Sequence, residues 1–169
     1  MKNPPLQLPV VSLGAEYLVM GYLMRRNILT YKAPPNNEGY DLICMHPDPK
    51  KATRQLRIQV KSRYQTDCDR GVLLHEKSLD AFDYLIVAFL NIGFYMAKSK
   101  SHSVLDGYRE PEFYTFPVQW AKIHHRNTPK GRGSIYTRNL DIEKFKNESG
   151  FESIAHKLKI PHPSKEHPG

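Results

Sequence analysis

Cysteine is scarce: Cys44 and Cys68 are the only two in 169 residues, and they form no CxxC pair. That excludes a disulfide scaffold and fits a reducing, cytoplasmic setting. Long apolar runs are lacking as well. The longest, Tyr84 to Leu90, falls far short of the ~20 residues a membrane helix needs. The first residues, with Pro4, Pro5 and Pro9, contain no apolar stretch of the signal-peptide kind and do not begin a helix. Internal repeats and low-complexity blocks are absent too. Acids are missing from two stretches. Between Asp48 and Asp67 stand Lys50, Lys51, Arg54, Arg57, Lys61 and Arg63, and between Glu112 and Asp141 stand Lys122, Arg126, Lys130, Arg132 and Arg138. With a formal net charge of +8, this distribution suits a polyanionic partner, because lysine and arginine release condensed counterions from phosphate backbones.

The length fits one compact domain, read as residues 12–158 after an N-terminal extension over 1–11 and before a disordered Pro/His tail over 159–169. Ser12 is the expected N-cap of a helix whose Leu13, Tyr17, Met20 and Met24 recur at helical spacing and which ends near Arg25 and Arg26. Ile28 to Tyr31 reads as a short strand, and the Pro34-Pro35-Asn36-Asn37 turn leads into a second strand, Tyr40 to Met45. Gly71 to Leu74 reads as a further strand and Glu76 to Phe82 as a short helix. Asp83 to Leu90 has the continuous apolar character of a strand buried on both faces, which demands cover on both sides. This predicts an α/β fold with a mixed central sheet flanked by helices. Asn91-Ile92-Gly93 reads as a hairpin turn into Phe94-Tyr95-Met96. Phe113 to Phe116 is an expected edge strand, Pro117 opens a helix, residues 127–134 form a basic loop, and Asp141 to Leu158 is helical with a break at Ser149-Gly150.

The most informative segment is Leu56-Arg57-Ile58-Gln59-Val60-Lys61-Ser62-Arg63. Apolar Leu56, Ile58 and Val60 alternate with polar neighbours, so a strand here has one oily face and one carrying an amide and three cations. Asp41 lies on the preceding strand. Two adjacent strands can therefore bring a carboxylate, an amide oxygen and an ammonium together. Phosphodiester hydrolysis needs an activated water and charge stabilisation at phosphorus, and a hard cation such as Mg²⁺ or Mn²⁺ supplies much of this through oxygen ligands. Asp41, the Gln59 side-chain oxygen and the Val60 carbonyl are candidate ligands. Lys61, two residues from Gln59 and on the same face, is placed to orient the attacking water. Glu16, at the edge of the first helix's apolar stripe, is a candidate second carboxylate.

Gly14-Ala15-Glu16, Gly39-Tyr40-Asp41 and Gln59-Val60-Lys61-Ser62, in that order, resemble the PD-(D/E)XK nuclease superfamily over roughly residues 12–96, in particular its resolvase-like and homing-endonuclease branches. The resemblance implies a restriction-endonuclease-like core, Mg-dependent cleavage of DNA, and metal held by the acidic positions. Tyr40 stands where the superfamily has proline and Gln59 where it usually has an acid. On this reading Asp41, Glu16, Gln59 and Val60 hold the metal, Lys61 manages the water, and Arg57, Arg63, Arg126, Lys130 and Arg132 grip the DNA backbone. Cutting both strands with so small a chain implies a homodimer or higher oligomer. The competing reading is a non-catalytic nucleic-acid-binding module that keeps the fold. His124-His125 resembles the start of an HNH site, but no later metal ligand on a following helix is evident, and Cys44, His46 and Cys68 match no usual zinc spacing.

Overall fold

The computed structural model describes residues 10–37, 39–64, 66, 71–94, 104–127 and 133–165. Helix α1 spans Val11–Arg25, and strands β1 (Leu29–Lys32), β2 (Leu42–Met45) and β3 (Gln55–Arg63) follow as an antiparallel meander. Strand β4 (Gly71–Leu73) and a 3₁₀ turn at Glu76–Asp80 lead to β5 (Tyr84–Phe89), which pairs parallel to β3. Strand β6 (Glu112–Pro117) pairs antiparallel to β5 and runs directly into helix α2 (Val118–His124). After it come β7 (His125–Asn127), β8 (Gly133–Tyr136) and helix α3 (Asn147–Lys157). The main sheet is mixed, ordered β1-β2-β3-β5-β6, and β4-β8-β7 form a small second sheet. This is the expected α/β architecture of a mixed sheet flanked by helices.

All six residues of β5 are buried, as its continuous apolar run requires. Ile86 and Ala88 face a core built with α1 and α3, through Ala15, Val19, Leu23, Phe151 and Ile154. Leu85, Val87 and Phe89 face a second core with Phe116, Ala121, Val72 and Ile135, contributed by β6, α2 and the small sheet. Phe113 packs tilted against Tyr22 with ring centroids 4.8 Å apart on the first side, and Phe116 stacks on Trp120 at 4.1 Å on the second.

Several expectations change. Ser12 is not the N-cap: the N-cap is Val10, two residues earlier, with no side-chain cap, and the Gly14 amide donates to the Val10 carbonyl. The stripe Leu13, Tyr17 and Met24 faces outward at 47%, 55% and 43% exposure, and Ala15, Val19 and Leu23 face the sheet instead. The helix is apolar on several sides, so two stripes had the right spacing and the smaller side chains took the close approach to the sheet. The strand returning alongside β5 is β6, not a hairpin through Phe94; Tyr95 and Met96 lie outside the described residues. Helix α3 runs unbroken through Ser149 and Gly150. A Cβ on Gly150 would sit 2.2 Å from the Phe145 carbonyl oxygen and 2.9 Å from Thr115, so this glycine permits a close approach of helix to strand and does not end the helix. The ends of the stretch read as a basic loop are strand: Asn127 closes β7, and Gly133 and Ser134 open β8.

Beyond Leu158 the chain stays on the core through Ile160, which is 3% exposed. Arg26, only 5% exposed, clamps this end: Nε and Nη2 donate to Glu152 at 2.8 and 2.9 Å and Nη1 donates to the Pro161 carbonyl at 3.1 Å. Replacing Arg26 with Met would remove this donor from the Pro161 carbonyl and the two guanidinium hydrogen bonds from Glu152. We expect Arg26→Met to lower unfolding free energy by roughly 1–3 kcal/mol, measured by urea denaturation, whereas an unchanged midpoint would mean the clamp contributes nothing.

Candidate active site

The site is a consequence of β2 being shorter than β3. Their ladder pairs Leu42 with Ile58, and the Asp41 amide donates to the Ile58 carbonyl at 2.8 Å. Strand β3 continues to Arg63 beside β5, with no β2 residue opposite its second half. Backbone groups alternate sides along a strand, so those of Val60, like those of Ile58, turn toward the β2 side, where the partner strand has ended. The strands fork there.

Asp41 fills the fork with its side chain. Its Oδ2 accepts the Val60 N–H at 2.7 Å and also a hydrogen bond from Gln59 Nε2. The same Nε2 lies 3.3 Å from the Val60 carbonyl oxygen. With the amide nitrogen so engaged, Gln59 Oε1 is its remaining polar atom. Gln59 is 6% and Val60 7% exposed, and Asp41 is half-buried. Lys61 is half-buried and makes no hydrogen bond or ion pair among the described residues. It pairs in register with Val87, as Gln59 does with Leu85, so both side chains lie on the α2 face of the sheet.

The local sequence positions Asp41 through a stiff turn. Asn36 and Gly39 both adopt positive φ, 60° and 97°, and Asn37 Nδ2 donates to the Tyr40 carbonyl at 2.7 Å. A Cβ at Gly39 would meet Ala81 Cβ at 2.3 Å, so only glycine fits both the angle and the space. The sequence marked the Gly39-Tyr40-Asp41 run but not that its glycine is wedged against Ala81.

Glu16 makes no hydrogen bond or ion pair with Asp41, Gln59 or Lys61 among the described residues. Its carboxylate pairs with Lys32 of β1. Lys32 is in register with Leu42, whose side chain belongs to the α1 core, so the pair lies on the opposite face from Gln59 and Lys61. Lys32 is thus a partner that sequence reasoning missed, because cross-strand and helix-to-strand pairing leave no mark in local spacing.

Of the expected backbone-gripping residues, Arg57 is tied to Asp83 at the far end of β3: its Nε lies 3.3 Å and its amide 2.8 Å from Oδ2. Arg63 closes β3 on the fork side. Arg126 is exposed on β7 and lines a cleft with Arg138 and the exposed Tyr136. The small sheet packs on the α2 face, the face that carries Gln59 and Lys61. Lys130 and Arg132 lie outside the described residues.

The motifs set aside by spacing have structural uses. His124 stacks on Trp120 at 4.0 Å and its Nδ1 is 2.9 Å from the Trp120 carbonyl oxygen, while His125 Nε2 is 2.8 Å from that of Leu74. Cys44 is fully buried next to Thr30, and burial pushes its thiol up to about 12, so it stays protonated in the core. No group of three His, Cys, Asp or Glu among the described residues is arranged to hold a metal ion. No described helix is long and apolar enough to cross a membrane.

No protein-family model matches the chain. Its sequence matches no curated protein. The structure is similar to that of a bacterial homing endonuclease, at 13% identity and a TM-score of 0.49 over 91% of this chain and 95% of that one. It is also similar to the Holliday junction resolvase Hjc of Archaeoglobus fulgidus, an archaeal hyperthermophile, at 14% identity and a TM-score of 0.44 over 81% of this chain and 98% of the other.

Proposed function

We propose that this chain is a metal-dependent endonuclease that hydrolyses DNA phosphodiester bonds at the fork between β2 and β3. The observation that carries the reading is the seating of Asp41 on Gln59 and Val60 where their strands part, with Lys61 on the same face as Gln59. Three oxygens of these residues are assigned as ligands: Asp41 Oδ1, Gln59 Oε1 and the Val60 carbonyl. One carboxylate with two neutral oxygens suits Mg²⁺ or Mn²⁺, which accept such mixed oxygen shells and keep several waters. Bound there, the ion supplies Lewis-acid stabilisation of the phosphoryl oxygens.

The chain's own residues do the rest. Asp41 fixes the register of the two strands and supplies the negative charge that draws a cation in. Gln59 holds Asp41 in place through its nitrogen and leaves its oxygen for the ion. Lys61 orients the attacking water and takes up or returns its proton. Arg126, on the side of the sheet that Lys61 faces, is assigned to the phosphate backbone, and Lys130 and Arg132 are given the same role from the sequence alone. Cleavage of both strands is assigned to two copies of the chain acting together.

A second reading draws on a specific observation. The fork holds a single carboxylate, and Glu16 is paired with Lys32 on the other face. A nucleic-acid-binding module that retains this fold without cutting would look like this too. A plasmid-nicking assay separates the two. We expect nicked and linear product with Mg²⁺ or Mn²⁺, none with EDTA, and none from Asp41→Ala with either metal. Salt-sensitive DNA binding without metal-dependent product would establish the second reading.

A further inference from the structure

The opposite end of the β2–β3 hairpin carries a second polar feature, roughly 16 Å from the fork by the rise of a strand from Asp41 to His46. A cavity of about 340 Å³ is lined there by His46, Lys51, Thr53, Arg54, Lys157, Leu158 and Lys159. Four of these residues are cations and none is an acid. Lys51, Arg54, Lys157 and Lys159 are exposed and make no ion pair among the described residues. The cations come from two distant parts of the chain, the loop before β3 and the end of α3.

His46 gives the cavity its chemistry. The residue is 6% exposed, and its Nδ1 accepts the Asp48 N–H at 3.0 Å. An imidazole whose Nδ1 accepts carries its proton on Nε2. That Nε2 is buried and has no hydrogen-bond partner among the described residues. A buried donor without an acceptor is costly, and here it belongs to a residue that lines a cavity whose other polar side chains are cations and a threonine. Helix dipoles explain cations at the end of α3 but do not explain Lys51, Arg54 or an unmet imidazole donor.

From this we infer that the cavity binds a phosphoryl group, held by Arg54, Lys51, Lys157 and Lys159 and accepting the His46 Nε2–H. Arg54 offers a planar fork of donors suited to phosphate oxygens, and the lysines add compact positive charge. Reaching the ring requires the exposed tips that share the wall to shift, which long surface side chains do readily. The site holds none of the fork's residues, so it stands independently of the cleavage reading. Its ligand is either a nucleic-acid backbone phosphate or a free phosphoryl compound.

Inorganic phosphate titrated into the full chain at fixed ionic strength should shift the His46 ring-nitrogen NMR signals saturably, with chloride leaving them in place. In Arg54→Gln/Lys159→Gly the shift should be lost while the melting temperature holds or rises, since Lys159 sits at a φ of 60° that glycine adopts without strain. Exposed Lys51→Gln, which cannot disturb packing, should weaken it separately. A short DNA duplex then distinguishes the sources. If backbone phosphates fill the cavity, duplex displaces the phosphate, and the double variant lowers the salt slope of duplex binding by about one. If a free phosphoryl compound is the ligand, duplex leaves bound phosphate in place. The absence of a saturable shift with phosphate, or an equal shift in the double variant, overturns the site.

Discussion

Lys61→Ala should cut metal-dependent cleavage by about 10²–10⁴-fold, the range that a positioned acid–base group contributes, with little effect on folding. Lys61 makes no hydrogen bond or ion pair among the described residues, so its removal leaves no partner stranded. An unchanged melting temperature beside a collapsed turnover would separate chemistry from architecture. Lys61→Arg sharpens the test, because guanidinium keeps the charge but does not release a proton near neutral pH. If the ammonium merely offsets phosphate charge, arginine should restore most of the rate, whereas a proton-handling role predicts that it will not. Cleavage by Lys61→Ala at the wild-type rate would remove this residue from the mechanism.

The second large effect is expected from Gln59→Glu. The amide now donates to Asp41 Oδ2, and a carboxylate would set a second negative charge against the first at hydrogen-bonding range, in a position only 6% exposed. Without metal, losing that donor and gaining the repulsion should destabilise the fold by roughly 1–3 kcal/mol. That corresponds to a drop of several degrees for a domain of this size. Addition of Mg²⁺ or Mn²⁺ should recover the loss, because a ligand that binds only the folded state stabilises it in proportion to its affinity. Stability would become metal-dependent where the wild type's is much less so. Cleavage at low metal concentration should rise, since two carboxylates hold a hard cation better than one. Equal melting curves for the variant with and without metal would mean that no ion enters the fork.

What could be read in the sequence follows from how local each cause is. The alternation of β3 and the unbroken apolar run of β5 are period signals within single segments, and both strands lie where they were expected. The order of Asp41, Gln59 and Lys61 was likewise legible, because strand neighbours two apart share a face and consecutive strands joined by one loop, here residues 46–54, commonly pair. The face that α1 presents to the sheet was not. Apolar residues surround much of that helix, and only the sheet decides that Ala15, Val19 and Leu23 fit closest. Gly150 misled for the same reason: a glycine that ends a helix and one that admits a neighbouring strand are identical in sequence. Glu16 was drawn toward the site by its place on the helical wheel, while its pairing with Lys32 depends on where β1 lies. The cations of the loop before β3 and those closing α3 are a hundred residues apart along the chain, roughly as far as this domain allows, and only folding brings them together.

Strand β3 places the apolar side chains of Leu56, Ile58 and Val60 on one side and the polar ones of Gln59 and Lys61 on the other within a single stretch of nine residues. Its period of two means that inserting or deleting one residue inside it would turn Gln59 and Lys61 into the hydrophobic interior and push Ile58 and Val60 out. Loss of the reactive surface by such a change would therefore also unfold the domain. Length variation can accumulate instead in the loop over residues 46–54, where it would alter the cationic cavity and leave the fork in register.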